Sequence, residues 1–225
     1  MSNLLPELLP TITIETGPEP EFTVIWLHGL GADGHDFEPI VPELKLGQSP
    51  AIRFIFPHAP KRPVTINGGM EMRAWYDIYF AGDVGAETFK GNTDHIKESA
   101  KQLVELVNQE VASGIPADHI ILAGFSQGGA IILYAGLRYT QALAGIMALS
   151  TYLPIPETLA DEMAPANKTI PFFMAHGLQD TTIPIAVGKA SKEKMEQAEY
   201  KIEWHQYPVA HTVSTDEIQD IGIWL

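Results

Sequence analysis

An α/β fold with a mainly parallel central sheet and helices on both faces is predicted by the order of the segments along the chain. Short apolar runs, which are typical of strands buried on both faces, alternate with longer stretches whose apolar residues recur at helical spacing. Strands joined through helices require crossovers, and crossovers connect parallel strands. The 225 residues are 45% hydrophobic and can bury one large core, so we predict a single domain over residues 1–225 with a minimal lid.

The predicted strands have two kinds of pattern. Thr11 to Glu15 alternates between apolar and polar residues as an edge strand does, and Lys201 to Tyr207 alternates as a late strand. The other predicted strands are near-continuous apolar runs at residues 22–27, 52–56, 120–125, 144–149 and 170–175.

The predicted helices have start and stop signals in the sequence. Apolar residues recur at helical spacing from Asn92 to Val111, and Gly114 then ends the pattern. A proline suits a first helical turn, and a serine followed three residues later by glutamate is typical of a capping box. The other predicted helices are a short one capped by Asp36 that reaches Leu44, one beginning near Pro184 and one opened by Ser214 and Glu217.

The composition excludes several classes of function. With 14 Lys and Arg against 28 Asp and Glu, the net charge of −14 repels phosphate backbones and anionic lipid headgroups, so nucleic acid is not an expected partner. The absence of cysteine removes disulfides, thiolate metal sites and a cysteine nucleophile. The first ten residues lack Lys and Arg and are interrupted by Pro6, Glu7 and Pro10, which is unlike a signal peptide. No apolar run has the length of a membrane span, so we expect a cytoplasmic protein without stable membrane insertion.

The most informative motif is GxSxG, which runs from Gly124 to Gly128 around Ser126. It follows the apolar run at 120–123 and precedes a helix-like stretch at 130–135. A strand, a glycine-flanked serine and a helix describe a nucleophile elbow, in which the serine adopts a strained conformation and its neighbours must lack bulk. The sequence therefore predicts Ser126 as a nucleophile.

A serine hydroxyl needs a general base and a third group that holds the base in place. In hydrolases of this architecture the chain order is serine, acid, histidine. Asp180 follows the predicted strand at 170–175, and His211 follows the strand that ends at Tyr207. Both would lie with Ser126 at the carboxyl ends of the strands, where open α/β sheets assemble their sites.

Each of these assignments has an alternative. The serine could be a helix cap, the aspartate a helix-start carboxylate and the histidine a solvated loop residue. His205 is a rival base, although it lies inside a predicted strand. Asp216 and Asp220 are rival acids, but both fall after His211 in the predicted final helix.

Two backbone amides are predicted to bind the oxyanion. The elbow supplies the N–H of Gln127, and the loop from His28 to Gly31 follows a strand as oxyanion loops of these enzymes do, so we assign the N–H of Leu30 as the second donor. His28 and His35 lack partners at the spacing of a metal site. We expect them to brace loops, and no metal or cofactor is predicted.

With these residues in place, the chain resembles the phospholipase/carboxylesterase branch of the α/β-hydrolases, which includes acyl-protein thioesterases and small bacterial carboxylesterases. The motifs that carry the resemblance run nearly from end to end. They are Trp26 to Gly31, Phe56 to Pro60, Thr65 to Gly69, Ala74 to Ile78, Gly124 to Ala130 and Ala148 to Pro154.

The resemblance implies the same triad and oxyanion donors. It also implies an acyl groove lined by Met70, Trp75, Leu153 and Ile183, although core packing is an equal alternative for Met70 and Trp75. The chain departs from the family pattern in two places: Ala210 stands where glycine is common, and Arg73-Ala74 stands where Pro-Ser is frequent. The second departure lies at the predicted groove mouth and bears on substrate preference.

We therefore predict a cofactor-free serine esterase that cleaves carboxylic esters, or thioesters, of small-molecule or acylated substrates with an apolar acyl group. One alternative is an acyl-protein thioesterase or lysophospholipase that acts on long acyl chains. A peptidase and a non-catalytic binding protein on the same fold are further alternatives. Dimerisation among members of the family makes a homodimer conceivable.

Overall fold

A seven-stranded sheet lies at the centre of the computed structural model, which describes residues 8–47, 49–82 and 88–225. The strands are β1 (Thr11–Glu15), β2 (Phe22–Leu27), β3 (Ile52–Pro57), β4 (Lys61–Val64), β5 (Met70–Arg73), β6 (Ile78–Ala81), β7 (Thr88–Gly91), β8 (Ile120–Phe125), β9 (Gly145–Leu149), β10 (Phe172–Gly177) and β11 (Glu203–Tyr207). The α-helices are α1 (Thr93–Ser113), α2 (Gln127–Gly136), α3 (Leu159–Glu162), α4 (Ile185–Gln197) and α5 (Thr215–Trp224).

The sheet has the order β1-β3-β2-β8-β9-β10-β11. β1 runs antiparallel to β3 at one edge, and every other neighbouring pair in this sheet is parallel. The predicted mainly parallel sheet with an alternating edge strand is therefore confirmed. β8, which precedes the GxSxG serine, is the central strand.

Both faces of the sheet are covered, because successive side chains of a strand point to opposite sides. On β2, Ile25 and Leu27 pack into the core beneath α1 and α2. Val24 and Trp26 pack on the other face, where α5 and the 3₁₀ helix Glu38–Leu44 close the core. The near-continuous apolar runs of the sequence follow from this double burial.

The predicted ends of α1 and the predicted start of α5 agree with the structure. The Asn92 side chain accepts the His95 N–H at the start of α1, and Gly114 ends the helix with a φ of 109°. At the start of α5, the Ser214 hydroxyl accepts the Glu217 N–H at 3.1 Å and the Glu217 carboxylate accepts the Ser214 N–H at 3.5 Å, which is the predicted capping box.

Several boundaries differ from the prediction. Residues 38–44 form a 3₁₀ helix whose N-cap residue is Phe37 and which has no side-chain cap, so the predicted cap from Asp36 is wrong. Pro42 inside the segment has no N–H to donate to an α-helical bond. β10 ends at Gly177 rather than at Ala175, and β11 begins at Glu203. Pro184 precedes α4 as its N-cap residue.

Two hairpins between β3 and α1 were not predicted. β4 pairs with β5, and β6 pairs with β7, both antiparallel and outside the main sheet. Their four-residue strands are too short for an alternating pattern to stand out, and only the Gly68-Gly69 turn, with φ of 68° and 77°, gives a local signal. In the described ranges of the chain, no helix combines the length and the apolar character that a membrane crossing requires.

Candidate active site

Ser126 occupies a sharp turn between β8 and α2. Its φ of 53° and ψ of −119° lie in a region that non-glycine residues rarely adopt, so the backbone is strained there. The surrounding chain holds this conformation: the Ser126 N–H donates to Leu149 O at 2.9 Å, and the Thr151 hydroxyl donates to Ser126 O at 2.6 Å. The turn directs the serine away from the regular sheet at the carboxyl ends of the strands.

The two motif glycines provide the space for this turn. A Cβ at Gly124 would lie 2.7 Å from the backbone of Gly128, and a Cβ at Gly128 would lie 2.5 Å from Leu27 O. Real Cβ atoms essentially never come so close to backbone atoms. A larger residue at either position would therefore force β8, α2 or β2 apart.

The structure brings Ser126, His211 and Asp180 into one chain of hydrogen bonds. His211 Nε2 lies 2.9 Å from Ser126 Oγ, and His211 Nδ1 lies 2.7 Å from Asp180 Oδ2. The Asp180 side chain is fully buried, whereas the His211 side chain is 18% exposed. The Phe125 ring packs against the His211 ring with 4.8 Å between centroids. A serine, an imidazole and a carboxylate in this order are the arrangement that activates a hydroxyl for acyl transfer.

Asp180 is not the helix-start carboxylate of the alternative interpretation. Its Oδ1 accepts the N–H of Thr182 at 2.9 Å and the N–H of Ile183 at 2.8 Å, both of which precede α4. These bonds occupy one carboxylate oxygen and leave Oδ2 for the imidazole.

The rival base His205 contacts carboxylates instead of Ser126. His205 Nε2 lies 2.8 Å from Glu203 Oε1, and His205 Nδ1 lies 3.9 Å from Asp220 Oδ2. Asp216 and Asp220 belong to α5, as predicted.

The predicted oxyanion loop is braced by His28, which is buried. His28 Nδ1 donates to Gly29 O at 2.7 Å, and Nε2 accepts the N–H of Ala59 at 3.1 Å. Burial lowers the pKa of His28 to about 4, so the ring is neutral near pH 7 and both nitrogens serve the loop. His35 Nδ1 pairs with Glu38 at 2.6 Å on the surface.

Leu30 and Gln127 present backbone amides at this edge of the sheet. Gly31, with a φ of 79°, turns the loop after Leu30, and its N–H donates to Arg73 O at 2.9 Å. Among the residues that the structure describes, neither the Leu30 N–H nor the Gln127 N–H donates to a protein acceptor. Both amides therefore remain available for a bound oxygen atom.

Comparison with known proteins identifies the family. The model of the phospholipase/carboxylesterase family matches residues 11–225. The chain belongs to this family. It is thus an α/β-hydrolase that cleaves carboxylic ester or thioester bonds of acylated substrates, as the sequence predicts.

Several relatives are similar to this chain in sequence or structure along most of its length. An acyl-protein thioesterase 1 of Gibberella zeae is 39% identical over 208 residues, which are 90% of this chain and 88% of the relative. An acyl-protein thioesterase 1 of Neurospora crassa is 39% identical over 98% of this chain and 90% of its own length. The crystal structure of Arabidopsis thaliana SOBER1 has a TM-score of 0.81 at 30% identity and covers 90% of this chain and 96% of that one. Zea mays acyl-protein thioesterase 2 has a TM-score of 0.77 at 26% identity, with coverages of 95% and 96%.

Trp75 is a structural part of this phospholipase/carboxylesterase site. Its ring is fully buried, and its Nε1 donates to His28 O at 2.8 Å. The Gln127 side chain accepts the Trp75 N–H at 2.7 Å and donates to Tyr76 O at 2.7 Å. The indole and the amide therefore cross-link the oxyanion loop, the loop at 75–76 and the start of α2. This burial favours the core alternative for Trp75 over the groove assignment.

The other predicted groove residues differ in exposure. Met70, at the start of β5, is 64% exposed, and Ile183 is half-buried. Leu153 is only 5% exposed, and its N–H donates to Ser191 Oγ at 2.9 Å. Met70 and Ile183 thus retain surface that an acyl chain can contact, while Leu153 lies mainly in the core.

Arg73, one of the two departures from the family pattern, supports the same loops. Its guanidinium donates to Ala59 O at 2.8 Å, and its carbonyl accepts the Gly31 N–H. The Gln127 side-chain contacts were not predicted either, because the partners lie about fifty residues apart in the sequence and no local pattern connects them.

Proposed function

We propose that Ser126 Oγ attacks the carbonyl carbon of an acyl ester or thioester while His211 Nε2 accepts its proton. Asp180 stabilises the resulting imidazolium through Nδ1, and the N–H groups of Leu30 and Gln127 bind the oxyanion. The carbon–oxygen or carbon–sulfur bond then breaks, and His211 protonates the leaving alcohol or thiol. Water, deprotonated by His211, releases the acid from the acyl-enzyme.

The continuous contact from Ser126 Oγ through His211 to Asp180 Oδ2, at 2.9 and 2.7 Å, is the observation that carries the proposal. The strained serine backbone supports it, because strain persists only where the surrounding structure imposes it.

The substrate that we propose is a protein or peptide with a thioester-linked apolar acyl chain. Support comes from the names of the relatives at 39% identity, which are acyl-protein thioesterases. The exposed apolar surface of Met70 adds to it, because Met70 lies on β5, the strand whose Arg73 carbonyl accepts the Gly31 N–H. A thiol is a good leaving group, so the reaction needs no metal or additional acid.

Replacing Ser126 with alanine tests the mechanism. We expect Ser126→Ala to lower turnover of an activated ester by about a million-fold, as removal of the nucleophile does in serine proteases, and to abolish labelling by a fluorophosphonate. Ser113→Ala, at the end of α1, is the control and should keep both properties. A Ser126→Ala protein that retains most of its hydrolysis would refute the mechanism, and an unlabelled wild-type serine would favour a non-catalytic binding protein.

A second experiment tests the substrate. A chain-length series of nitrophenyl esters is run beside an S-acylated peptide and its matched oxygen ester and amide. We expect the S-acylated peptide to have a higher kcat/KM than the oxygen ester. Preference for short esters without thioester turnover would identify a small-molecule carboxylesterase, and faster amide cleavage would identify a peptidase.

A further inference from the structure

His176 is a buried histidine next to the acid that the proposed reaction does not use. It lies near the end of β10, four residues before Asp180, and is 1% exposed. Its Nε2 lies 2.7 Å from Ile183 O and 3.4 Å from Asp180 Oδ2. A carbonyl oxygen can only accept a hydrogen bond, so Nε2 carries the proton. One N–H therefore faces both the acid and the loop that surrounds it.

The ring is fixed from its other side as well. A Cβ at Gly188, in the first turns of α4, would lie 2.5 Å from His176 Nδ1, so the absence of a side chain there allows the ring its position. The Trp204 ring is stacked on it, with 6.1 Å between centroids and 22° between planes. His176 therefore has little room for another orientation.

The ring is also electrically neutral near pH 7. Burial lowers the pKa of His176, and the charge of His211 lowers it further, whereas the bond to Ile183 and the charge of Asp180 oppose the shift. Asp180 and His211 are the titratable groups whose charges act on the ring. A neutral donor can orient the Asp180 carboxylate without competing, as a second cation would, with the His211 imidazolium.

We propose that His176 is a positioning residue for the acid: its Nε2–H holds residues 180–183 closed around the Asp180 carboxylate, so that Oδ2 remains in contact with His211. The proposal rests on the function proposed above. The loop is bonded at both polar groups of Ile183, because its N–H donates to Asp180 Oδ1 and its carbonyl accepts from His176. Without the second bond, only the loop's own amides would orient the carboxylate.

Four variants test this assignment. His176→Leu removes the donor, whereas His176→Gln keeps an N–H at a similar reach. Gly188→Ala leaves the histidine in place but pushes a methyl group against its ring. His205→Gln removes an imidazole from the neighbouring strand β11 and is the control. For each protein, kcat, KM and the pH profile of kcat/KM are measured with a nitrophenyl ester, and circular dichroism verifies folding.

We expect His176→Leu to lower kcat by about 10- to 100-fold, the loss typical of an outer partner of a functional group, with KM changed less than about threefold. The acid limb of the kcat/KM profile should move to lower pH, because a base separated from its carboxylate is protonated less readily. Gly188→Ala should likewise lower kcat and move the acid limb to lower pH. His176→Gln should restore kcat to within about threefold of wild type, and His205→Gln should match wild type.

Other results would overturn the assignment. An unchanged kcat in His176→Leu would show that the loop needs no support, and if that variant does not fold, an unchanged kcat in Gly188→Ala would show the same. Equal losses in the Leu and Gln variants with an unmoved acid limb would indicate packing alone. An acid limb at higher pH would mean that His176 weakens the carboxylate rather than positions it. Failure of the underlying function is distinguishable, since it would appear as full activity in Ser126→Ala.

Discussion

Two clusters of imidazole and carboxylate groups lie on neighbouring parts of this molecule, and their contacts are almost equally short. In the first, His211 approaches Asp180 at 2.7 Å, and in the second, His205 approaches Glu203 at 2.8 Å. The Asp180 side chain is fully buried, whereas the Glu203 side chain is 56% exposed. Only the first cluster reaches a serine hydroxyl. Contact length therefore does not distinguish the candidate site, but burial of the acid and a strained nucleophile do.

The position of each histidine along its strand explains the difference. His205 is the third residue of β11 and pairs in register with Ala175, so its side chain lies against the body of the sheet, stacked on Phe173. His211 follows β11 in a loop at the carboxyl end of the strand. A loop residue at that edge can turn toward Ser126, whereas a residue held in the strand ladder cannot.

The largest effect that we expect is a difference in kcat between variants of His211 and variants of His205. His211→Gln should lower kcat by about a million-fold, because the serine loses its general base, as in serine proteases. His205→Gln should stay within about twofold of wild type, since its ring contacts neither Ser126 nor Asp180. Steady-state hydrolysis of a nitrophenyl ester measures both. Comparable losses in the two variants would refute the choice of base.

The second largest effect separates the two aspartates, Asp180 and Asp220, by the activity of their variants. Asp180→Asn should lower kcat by about 10,000-fold, because an amide cannot stabilise the imidazolium and favours the wrong tautomer. Asp220→Asn should keep its activity and lose less than about 1 kcal/mol of unfolding free energy. The Asp220 carboxylate is 42% exposed, accepts the Tyr207 hydroxyl at 2.7 Å and lies 3.9 Å from His205 Nδ1. Kinetics and urea unfolding test the pair, and a large activity loss in Asp220→Asn would reassign the acid.

The smallest of the three effects is a change of protein stability with pH, and it arises at Glu217 in α5, the helix that also carries Asp220 of the second cluster. Burial, followed by the nearby charge of Asp220, raises the pKa of Glu217 from 4.5 to about 7. Between these pH values the folded protein binds a proton that the unfolded chain has lost, so stability falls as pH rises, by about 3 kcal/mol in total. Glu217→Gln keeps the capping acceptor but cannot ionise.

We therefore expect Glu217→Gln to be more stable than wild type at pH 8 and nearly equal at pH 5, measured by urea unfolding. Glu196→Gln removes an exposed carboxylate that pairs with Lys192 and should change stability by less than about 0.5 kcal/mol at either pH. A Glu217→Gln protein that is less stable at pH 8 would show that the carboxylate is better accommodated than its burial implies.

The sequence predicted the parts of the molecule that depend on local pattern. Apolar runs located the strands of the main sheet, and chain order together with strand ends led to the proposed triad of Ser126, Asp180 and His211. The contacts that support these residues could not be predicted from local sequence patterns. The Gln127 side chain binds residues 75–76, and Arg73 binds Ala59 and Gly31, through partners that only the folded chain brings together. His176 had one local signal, since it lies four residues before Asp180. That spacing predicts a contact with Asp180 only when the conformation of the intervening turn is known.

The pairing of β10 with β11 continues past the ends of both strands. The Leu178 N–H donates to Tyr207 O at 2.8 Å, and the Gln179 N–H donates to Val209 O at 2.9 Å, immediately before Asp180 and His211. A Cβ at Gly177 would lie 2.5 Å from Val209 O, so the two segments run side by side with no side chain between them. The register between these two segments consequently determines how far Asp180 lies from His211. A slip of one residue in that alignment would disconnect two groups that are both still present, and selection on activity would thereby act on the alignment itself.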